Sequence, residues 1–388
     1  MATAVLIFMG LLLALELASV AMLVANYLST PAPGRRRDPA PLTDPPLISI
    51  LVPARNEERN IRACVEGLFA QDYPRFEVIV SDDRSEDRTP RILMELQRQY
   101  PALKVIHPPA PPPEWISAKS HALWHAYQVA QGDWLLFVDA DSRLFPWAVS
   151  EATRYGIESR ADLFSALPGT DCVGFWEKTI IPVLGKLFMT FTPLWKVKDL
   201  RSKVVIGTGP FMMFRRGAYL EIGGHEAVKG ERVEDVELAR IVKSRGLQLR
   251  FAFGWFLGHT RHYTSLGEIF RAVTRQYFLG LGGNPLLAVA GIAFALLLTV
   301  VPWVALVGYG ALWVQSSGSF GQGIGMLLAA CQITAIIAGH YMIGAFYHVR
   351  VGPALLHPLG GLMVAAIMVK STLDGLRGKA VSWRGRPC

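Results

Sequence analysis

Apolar positions along this chain fall into two contrasting patterns. At the ends they run almost without interruption. Ala4–Leu28 is long enough to cross ~30 Å of hydrocarbon as a helix. Leu286–Val314 and Ile324–Val349 predict two further spans. Leu355–Val369 is shorter and broken by Pro358 and the Gly360–Gly361 pair, so a re-entrant or interfacial piece is expected there. In the middle, from Leu47 to about Gly246, short apolar runs alternate with amphipathic ones. Leu47–Pro53, Glu77–Val80, Lys104–His107 and Trp134–Val138 read as strands; Asn60–Phe69, Arg88–Tyr100 and Ser117–Ala130 read as helices. That alternation predicts an α/β fold, a parallel sheet covered by helices on both faces, with transmembrane helices at both chain ends. The expected organisation is an anchor over residues 1–29, a Pro/Arg-rich linker over 30–46, the catalytic-type domain over 47–284, and a membrane region over 285–388 of two spans, a re-entrant segment and a basic tail.

Composition agrees. Of 388 residues, 51% are hydrophobic and only 18% charged, too apolar for a wholly soluble protein. The net charge of +8 gathers beside the apolar segments rather than in a long central run, which fits anionic membrane lipids and not nucleic acid. Arg35, Arg36 and Arg37 follow the first apolar run and no cation precedes it, predicting an uncleaved anchor with the next residues in the cytoplasm. Arg350 after the third span, and Lys370, Arg377, Lys379, Arg384 and Arg386 in the tail, predict a multi-pass protein whose tail is also cytoplasmic. Cys64, Cys172, Cys331 and Cys388 lack paired spacing, so neither a disulfide framework nor a zinc site is indicated. Glu16, near the middle of the first apolar run, is a functional candidate or a protonated group facing another helix. Trp176–Lys203 mixes aromatic and aliphatic residues with Lys178, Lys186, Lys196 and Lys198; lysines in that company predict an amphipathic element lying in the bilayer interface rather than a core helix.

Ligands of open α/β sheets bind at the carboxyl ends of the strands, and the polar clusters fall there. Asp139 and Asp141, leaving one strand at alternate positions, supply hard oxygen ligands for Mg²⁺ or Mn²⁺; a polar turn is the alternative. Asp82 and Asp83 end another strand and either accept hydrogen bonds from a nucleobase or belong to a capped turn with Ser85 and Asp87. Glu234 and Asp235 open an amphipathic helix, where an acid is favoured by the helix dipole; Asp235 is equally placed to be a general base. No glycine-rich dinucleotide fingerprint or phosphate-loop lysine motif follows any strand, so hydride transfer and ATP hydrolysis lack their usual equipment.

Four motifs carry a family resemblance: Ile50-Leu-Val-Pro-Ala-Arg-Asn-Glu-Glu, Ser81-Asp-Asp-Arg-Ser-Glu-Asp-Arg-Thr, Val138-Asp-Ala-Asp-Ser and Val233-Glu-Asp-Val-Glu-Leu. In that order, within Leu47–Tyr277, they resemble family 2 glycosyltransferases. The resemblance implies a GT-A fold with a Rossmann-like nucleotide-binding half, a nucleotide-sugar donor (UDP- or GDP-linked), a divalent metal and inversion at the anomeric carbon. Carried onto matching positions, Pro53, Arg55, Glu57 and Asp83 contact the nucleoside, Asp139 and Asp141 serve phosphates and metal, and Asp235 is the base, with Glu234 beside it. Pro113-Glu-Trp-Ile-Ser-Ala-Lys-Ser-His-Ala-Leu and Val381-Ser-Trp-Arg-Gly-Arg are similar to stretches of the members associated with carotenoid-acid or hopanoid pathways, which implies a lipid-like, isoprenoid-type acceptor and a phosphate contact for Lys119. Glu114 and Ala118 stand where those relatives carry glycine. Phe270-Arg-Ala-Val-Thr-Arg-Gln-Tyr-Phe lacks the Gln-x-x-Arg-Trp motif of polysaccharide synthases, which counts against a processive polymerase. Its Arg271 and Arg275 share a helical face and touch either diphosphate or lipid headgroups. A catalytically inactive nucleotide-binding scaffold is the reading from another class, and the retained Asp139, Asp141 and Asp235 count against it.

Overall fold

The structure, a computed structural model, describes residues 2–35, 42–261, 263–315, 318–344, 346–347, 349, 352–377, 382–383 and 386–387. Arg36, Arg37, Arg350, Lys379, Arg384 and Cys388, on which the topology reading partly rests, lie outside the described residues, as does the side chain of Arg275. The helices are, in chain order, α1 (Ala2–Ser29), α2 (Ile61–Phe69), α3 (Thr89–Gln99), α4 (Ala118–Gln128), α5 (Ala148–Glu158), α6 (Phe175–Phe191) and α7 (Arg216–Glu221). There follow α8 (Glu234–Ser244), α9 (Leu266–Gly280), α10 (Pro285–Thr299), α11 (Val301–Gln315), α12 (Phe320–Gly344) and α13 (His357–Leu376). The chain divides into two units. A helical unit holds residues up to Leu28, Asp171–Pro193 and those from Tyr263 onward; an α/β unit holds Ser29–Thr170 and the residues from Leu194 to 261.

In the α/β unit the strands are β1 (Ile48–Ala54), β2 (Phe76–Asp82), β3 (Leu103–Ile106), β4 (Trp134–Phe137), β5 (Ser142–Leu144), β6 (Leu163–Leu167), β7 (Gly169–Thr170), β8 (Met212–Arg215), β9 (Leu249–Phe253) and β10 (Gly258–Thr260). The main sheet has the order β3-β2-β1-β4-β8-β6-β9, and β5, β10 and β7 form a small second sheet. Strands β1, β2, β3 and β4 are parallel, as the alternation predicts. The second half departs from that expectation: β8 runs antiparallel to both β4 and β6, so the sheet is mixed. The reason lies in the connection, because the chain between β7 and β8 leaves for the helical unit instead of forming a crossover helix over the sheet. Alternate residues Ile48, Ile50, Val52 and Ala54 of β1 pack in one core with Ile61, Val65 and Leu68 of α2 and Leu93 and Leu96 of α3. On the opposite face Phe137 of β4 packs against Tyr219 and His225, with ring centroids 5.5 and 4.9 Å away.

In the helical unit α1, α12 and the stretch Gly352–Leu376 are each long and apolar enough to cross a membrane. The span expected over Leu286–Val314 is two helices, α10 and α11, bent by 49°. Pro302 accounts for the break, since its ring denies α11 a backbone donor and disfavours helical geometry just before it. The interruption expected over Leu355–Val369 is absent: α13 runs through it. Pro358 sits in the first turn, where no donor is needed. Gly360 and Gly361 serve close packing instead, for a methyl group there would strike the Thr179 carbonyl of α6 and the Thr299 hydroxyl of α10. Asn26 fastens the end of α1 to that of α6, its Nδ2 donating to the Met189 and Thr192 carbonyls at 2.9 Å each.

The interfacial expectation for Lys186 is also corrected. Its ammonium lies 2.5 Å from Glu16 Oε1, with side-chain exposures of 3% and 2%. The mid-span acid and the lysine thus answer one another: a lone buried charge is prohibitive, while a hydrogen-bonded pair is tolerable.

Candidate active site

The carboxyl ends of β2, β1 and β4 lie side by side, with β1 hydrogen-bonded to both neighbours. Here the strand order reverses, and a crevice opens at such a point in doubly wound sheets. Two clusters of sequence-predicted residues form along this edge.

The first gathers Pro53, Arg55, Glu57, Asp82 and Asp83. Pro53 is half-buried and registers against Ser81. Arg55, Asp82 and Asp83 are buried. Arg55 Nη1 donates to the Asp83 carbonyl at 3.0 Å and to Asp83 Oδ2 at 3.3 Å, while Arg84 donates to Asp83 Oδ1 at 2.7 and 2.9 Å. Asp82 Oδ1 accepts from the Ser85 hydroxyl at 2.5 Å, and its Oδ2 stands 3.6 Å from His107 Nδ1. The two strand-end loops are knitted together by Glu57 N donating to Thr89 Oγ1 and Glu58 N donating to Asp87 Oδ2, at 2.8 and 3.0 Å. Asn56 and Arg84 at the loop tips hold positive φ angles of 52° each, strain of a kind that collects at ligand sites.

The second cluster joins residues far apart in sequence. Ser117 caps α4, its hydroxyl accepting from Ser120 N, and this sets Lys119 in the first turn. Lys119 Nζ lies 2.6 Å from Asp139 Oδ1 and 3.7 Å from Glu234 Oε1. Asp235 does not cap α8, whose N-cap is Val233. Its Oδ1 accepts from Val236 N at 2.8 Å and its Oδ2 from Gly209 N at 2.7 Å, so it ties the helix start to the loop before β8. Burial pushes the carboxyls of Glu234 and Asp235 above their ordinary range, and the Lys119 ammonium offsets only part of that. Burial alone would lower Lys119, but Asp139, Glu234 and Asp235 outweigh it and hold its pKa above the usual value.

Asp141 lies close to the buried Cys64, whose Sγ stands 3.8 Å from the Asp139 carbonyl. That thiol is pushed up by burial and then by the charges of Asp141, Glu57 and Asp139, which links the two clusters. Among the described residues no three His, Cys, Asp or Glu side chains converge as a closed metal cage. Two carboxylates leaving one strand nevertheless suit Mg²⁺ or Mn²⁺, which keep several waters and take further oxygens from phosphates. Arg271 and Arg275 belong to α9 in the helical unit.

Sequence reasoning missed the loop Gly207-Thr-Gly-Pro. Thr208 anchors it to β6, its hydroxyl donating to the Ala166 carbonyl at 2.6 Å. A methyl group on Gly209 would sit 2.6 Å from Lys119 Nζ, and one on Gly207 would strike the Asp235 carbonyl. The available signal was two glycines and a proline directly before the apolar run Phe211–Phe214. His225, too, went unread: buried in its aromatic nest, it shares a 2.7 Å hydrogen bond with the Tyr219 hydroxyl, and burial lowers it to about 3.

Residues 49–223 match the family model described as Glycosyl transferase family 2. Beta-monoglucosyldiacylglycerol synthase of Trichormus variabilis is 39% identical over 101 residues, covering 26% of this chain and only 21% of the synthase's own length. A 4,4'-diaponeurosporenoate glycosyltransferase of Staphylococcus aureus is 24% identical over 345 residues, 87% of each chain. A solved mannosyltransferase of Pyrobaculum calidifontis, in complex with GDP-Man and Mn²⁺, aligns over 94% of this chain and 99% of that one, at 17% identity and a TM-score of 0.49.

Proposed function

We infer that this chain, a family 2 glycosyltransferase, moves a sugar from a UDP- or GDP-linked donor onto a lipid-like acceptor at the cytoplasmic face of a membrane. The observation that carries this reading is the meeting of Lys119, Asp139, Glu234 and Asp235 beside Gly209, at the edge where β1, β2 and β4 end. The nucleoside rests against Pro53, Arg55, Glu57, Asp82 and Asp83. Lys119 takes the diphosphate, exchanging part of its contact with Asp139 for phosphate oxygens. Asp139 and Asp141 would hold a Mg²⁺ or Mn²⁺ ion, whose charge offsets that of the departing diphosphate. Asp235 takes the proton of an attacking acceptor hydroxyl, with inversion at the anomeric carbon; a carboxyl pushed up by burial is a better base than an exposed one. A lipid-like acceptor is supported by the apolar helices and by the names of two relatives, a diaponeurosporenoate glycosyltransferase and a monoglucosyldiacylglycerol synthase. Cytoplasmic orientation is supported by the arginines that follow α1.

Membranes carrying the full chain, incubated with radiolabelled UDP- and GDP-sugars, test the reading. Label should enter the lipid extract with one donor, and both EDTA and Asp141→Ala should abolish it without unfolding the protein. Undiminished transfer under either condition would sink the metal assignment.

A further inference from the structure

Away from the nucleotide edge, the α/β unit has a second cleft, at the far border of the sheet. Its cavity of about 610 Å³ is bounded by Ser29–Pro31, by the stretch from Leu194 to Asp199, and by residues of β9 and α5. The Pro31 carbonyl accepts from Phe253 N at 2.8 Å, which clips the first wall onto the edge strand.

Chain continuity ties two walls of this cleft to segments of apolar character. Ser29 is the last residue of α1, a helix long and apolar enough to cross a membrane, and Leu194 directly follows the stretch assigned to the helical unit. Asn26 fastens the two departing ends together. Three residues reach at most ~10 Å, so the wall at Ser29–Pro31 stays close to where the apolar helix ends. The lining has the chemistry found at a membrane interface. Trp195 is half-buried there, as aromatic residues are where bilayer meets water. Arg250 Nε and Nη1 are held by the Ser159 and Leu249 carbonyls at 3.0 and 3.2 Å, which orients the guanidinium and leaves Nη2 without a partner among the described residues. Exposed Lys198 adds a second cation with no partner among them. Thr30, 8% exposed, lines the cleft with a hydroxyl that has no hydrogen-bond partner among the described residues. Asp199 is the opposing charge, its Oδ1 accepting from Arg201 N at 2.9 Å.

We propose that this cleft seats the phosphate of an anionic membrane lipid, held by Arg250 and Lys198 with the glycerol end against Trp195. The site is separate from the transfer chemistry and does not depend on the donor or acceptor assigned above.

The test is native mass spectrometry of the full chain released from nanodiscs of equal parts phosphatidylcholine and phosphatidylglycerol. Retained lipid should be enriched in phosphatidylglycerol, and Lys198→Gln with Arg250→Gln should reduce the enrichment by about fivefold for each cation removed. Lys198→Glu alone, at an exposed position, should lower it further than Lys198→Gln with an unchanged melting curve, which separates lost binding from lost folding. Equal lipid ratios in the wild-type chain and in the Lys198 variants would overturn the proposal. Release of the retained phosphatidylglycerol by millimolar inorganic phosphate, with no such release by chloride at equal ionic strength, would also overturn it, assigning the cleft to free phosphate.

Discussion

Lys119 and Lys186 are both set against carboxylates in sheltered surroundings, yet they do opposite things. Lys186 meets one acid, Glu16, in a closed pair with 3% of its side chain exposed. Lys119 meets Asp139, Glu234 and Asp235, and keeps 20% of its side chain accessible. The first grouping matches one cation with one anion and is sealed from solvent, so no ligand reaches it, although Glu16 Oε2 has no hydrogen-bond partner among the described residues. The second carries surplus acid and an opening, and its three carboxylates together hold the Lys119 ammonium above its ordinary pKa. Surplus charge with access is what the proposed transfer chemistry needs; matched charge without access suits a fastening between helices.

The largest effect should come from the open grouping. Asparagine at position 235 keeps one oxygen for the Gly209 or Val236 amide, so Asp235→Asn should cost only ~1 kcal/mol of stability. Loss of the proton acceptor should slow transfer to a hydroxyl acceptor by ~10²–10⁴-fold while nucleotide binding persists. A carboxylate acceptor has no proton to lose and should be much less affected. Nucleotide release measured with each acceptor type decides; near-normal transfer to a hydroxyl removes Asp235 from the mechanism and leaves Glu234 as the next candidate.

The closed grouping should answer in stability instead. Lys186→Met strands Glu16 among apolar helices and should destabilise the chain by ~3–5 kcal/mol, whereas adding Glu16→Leu should recover most of that loss. Melting curves of the full chain in detergent provide the comparison. A double variant no more stable than Lys186→Met alone would mean that the two side chains are not coupled.

His225 gives a smaller effect and a third solution to buried charge, which is to abandon it. Its folded pKa of about 3 lies below the ordinary 6.5. Between those values the unfolded chain binds a proton that the folded chain does not, so stability is present above pH 6.5 and is lost as pH falls toward 3. From pH 7.5 to pH 5 the loss from this residue should be about 2 kcal/mol. Denaturant unfolding of wild type and His225→Gln at both pH values isolates it; equal pH dependence in the two chains would contradict the assignment.

Much of this architecture was legible in the sequence. β1, β2 and β4 announce themselves as apolar runs closed by polar clusters, and helices α2, α3 and α4 fall within a few residues of their expected bounds. Arg55, Asp82, Asp83 and Asp139 sit at strand ends because a two-residue period and a following turn are local properties, written into consecutive side chains. What stayed hidden depends on partners distant along the chain. The antiparallel β8 pairs with strands whose identity no local pattern specifies. Gly360 and Gly361 look like helix breakers until α6 and α10 press against them. Lys186 reads as interfacial until a carboxylate 170 residues earlier reaches it. The loop at Gly207 and Gly209 acquires its meaning only from Asp235 and Lys119 on other elements. Periodicity and motif order determined the α/β class, the apolar ends and the acids available for chemistry; tertiary packing alone decided which charges neutralise one another and which remain open, because that depends on burial and distance between residues that the sequence keeps far apart.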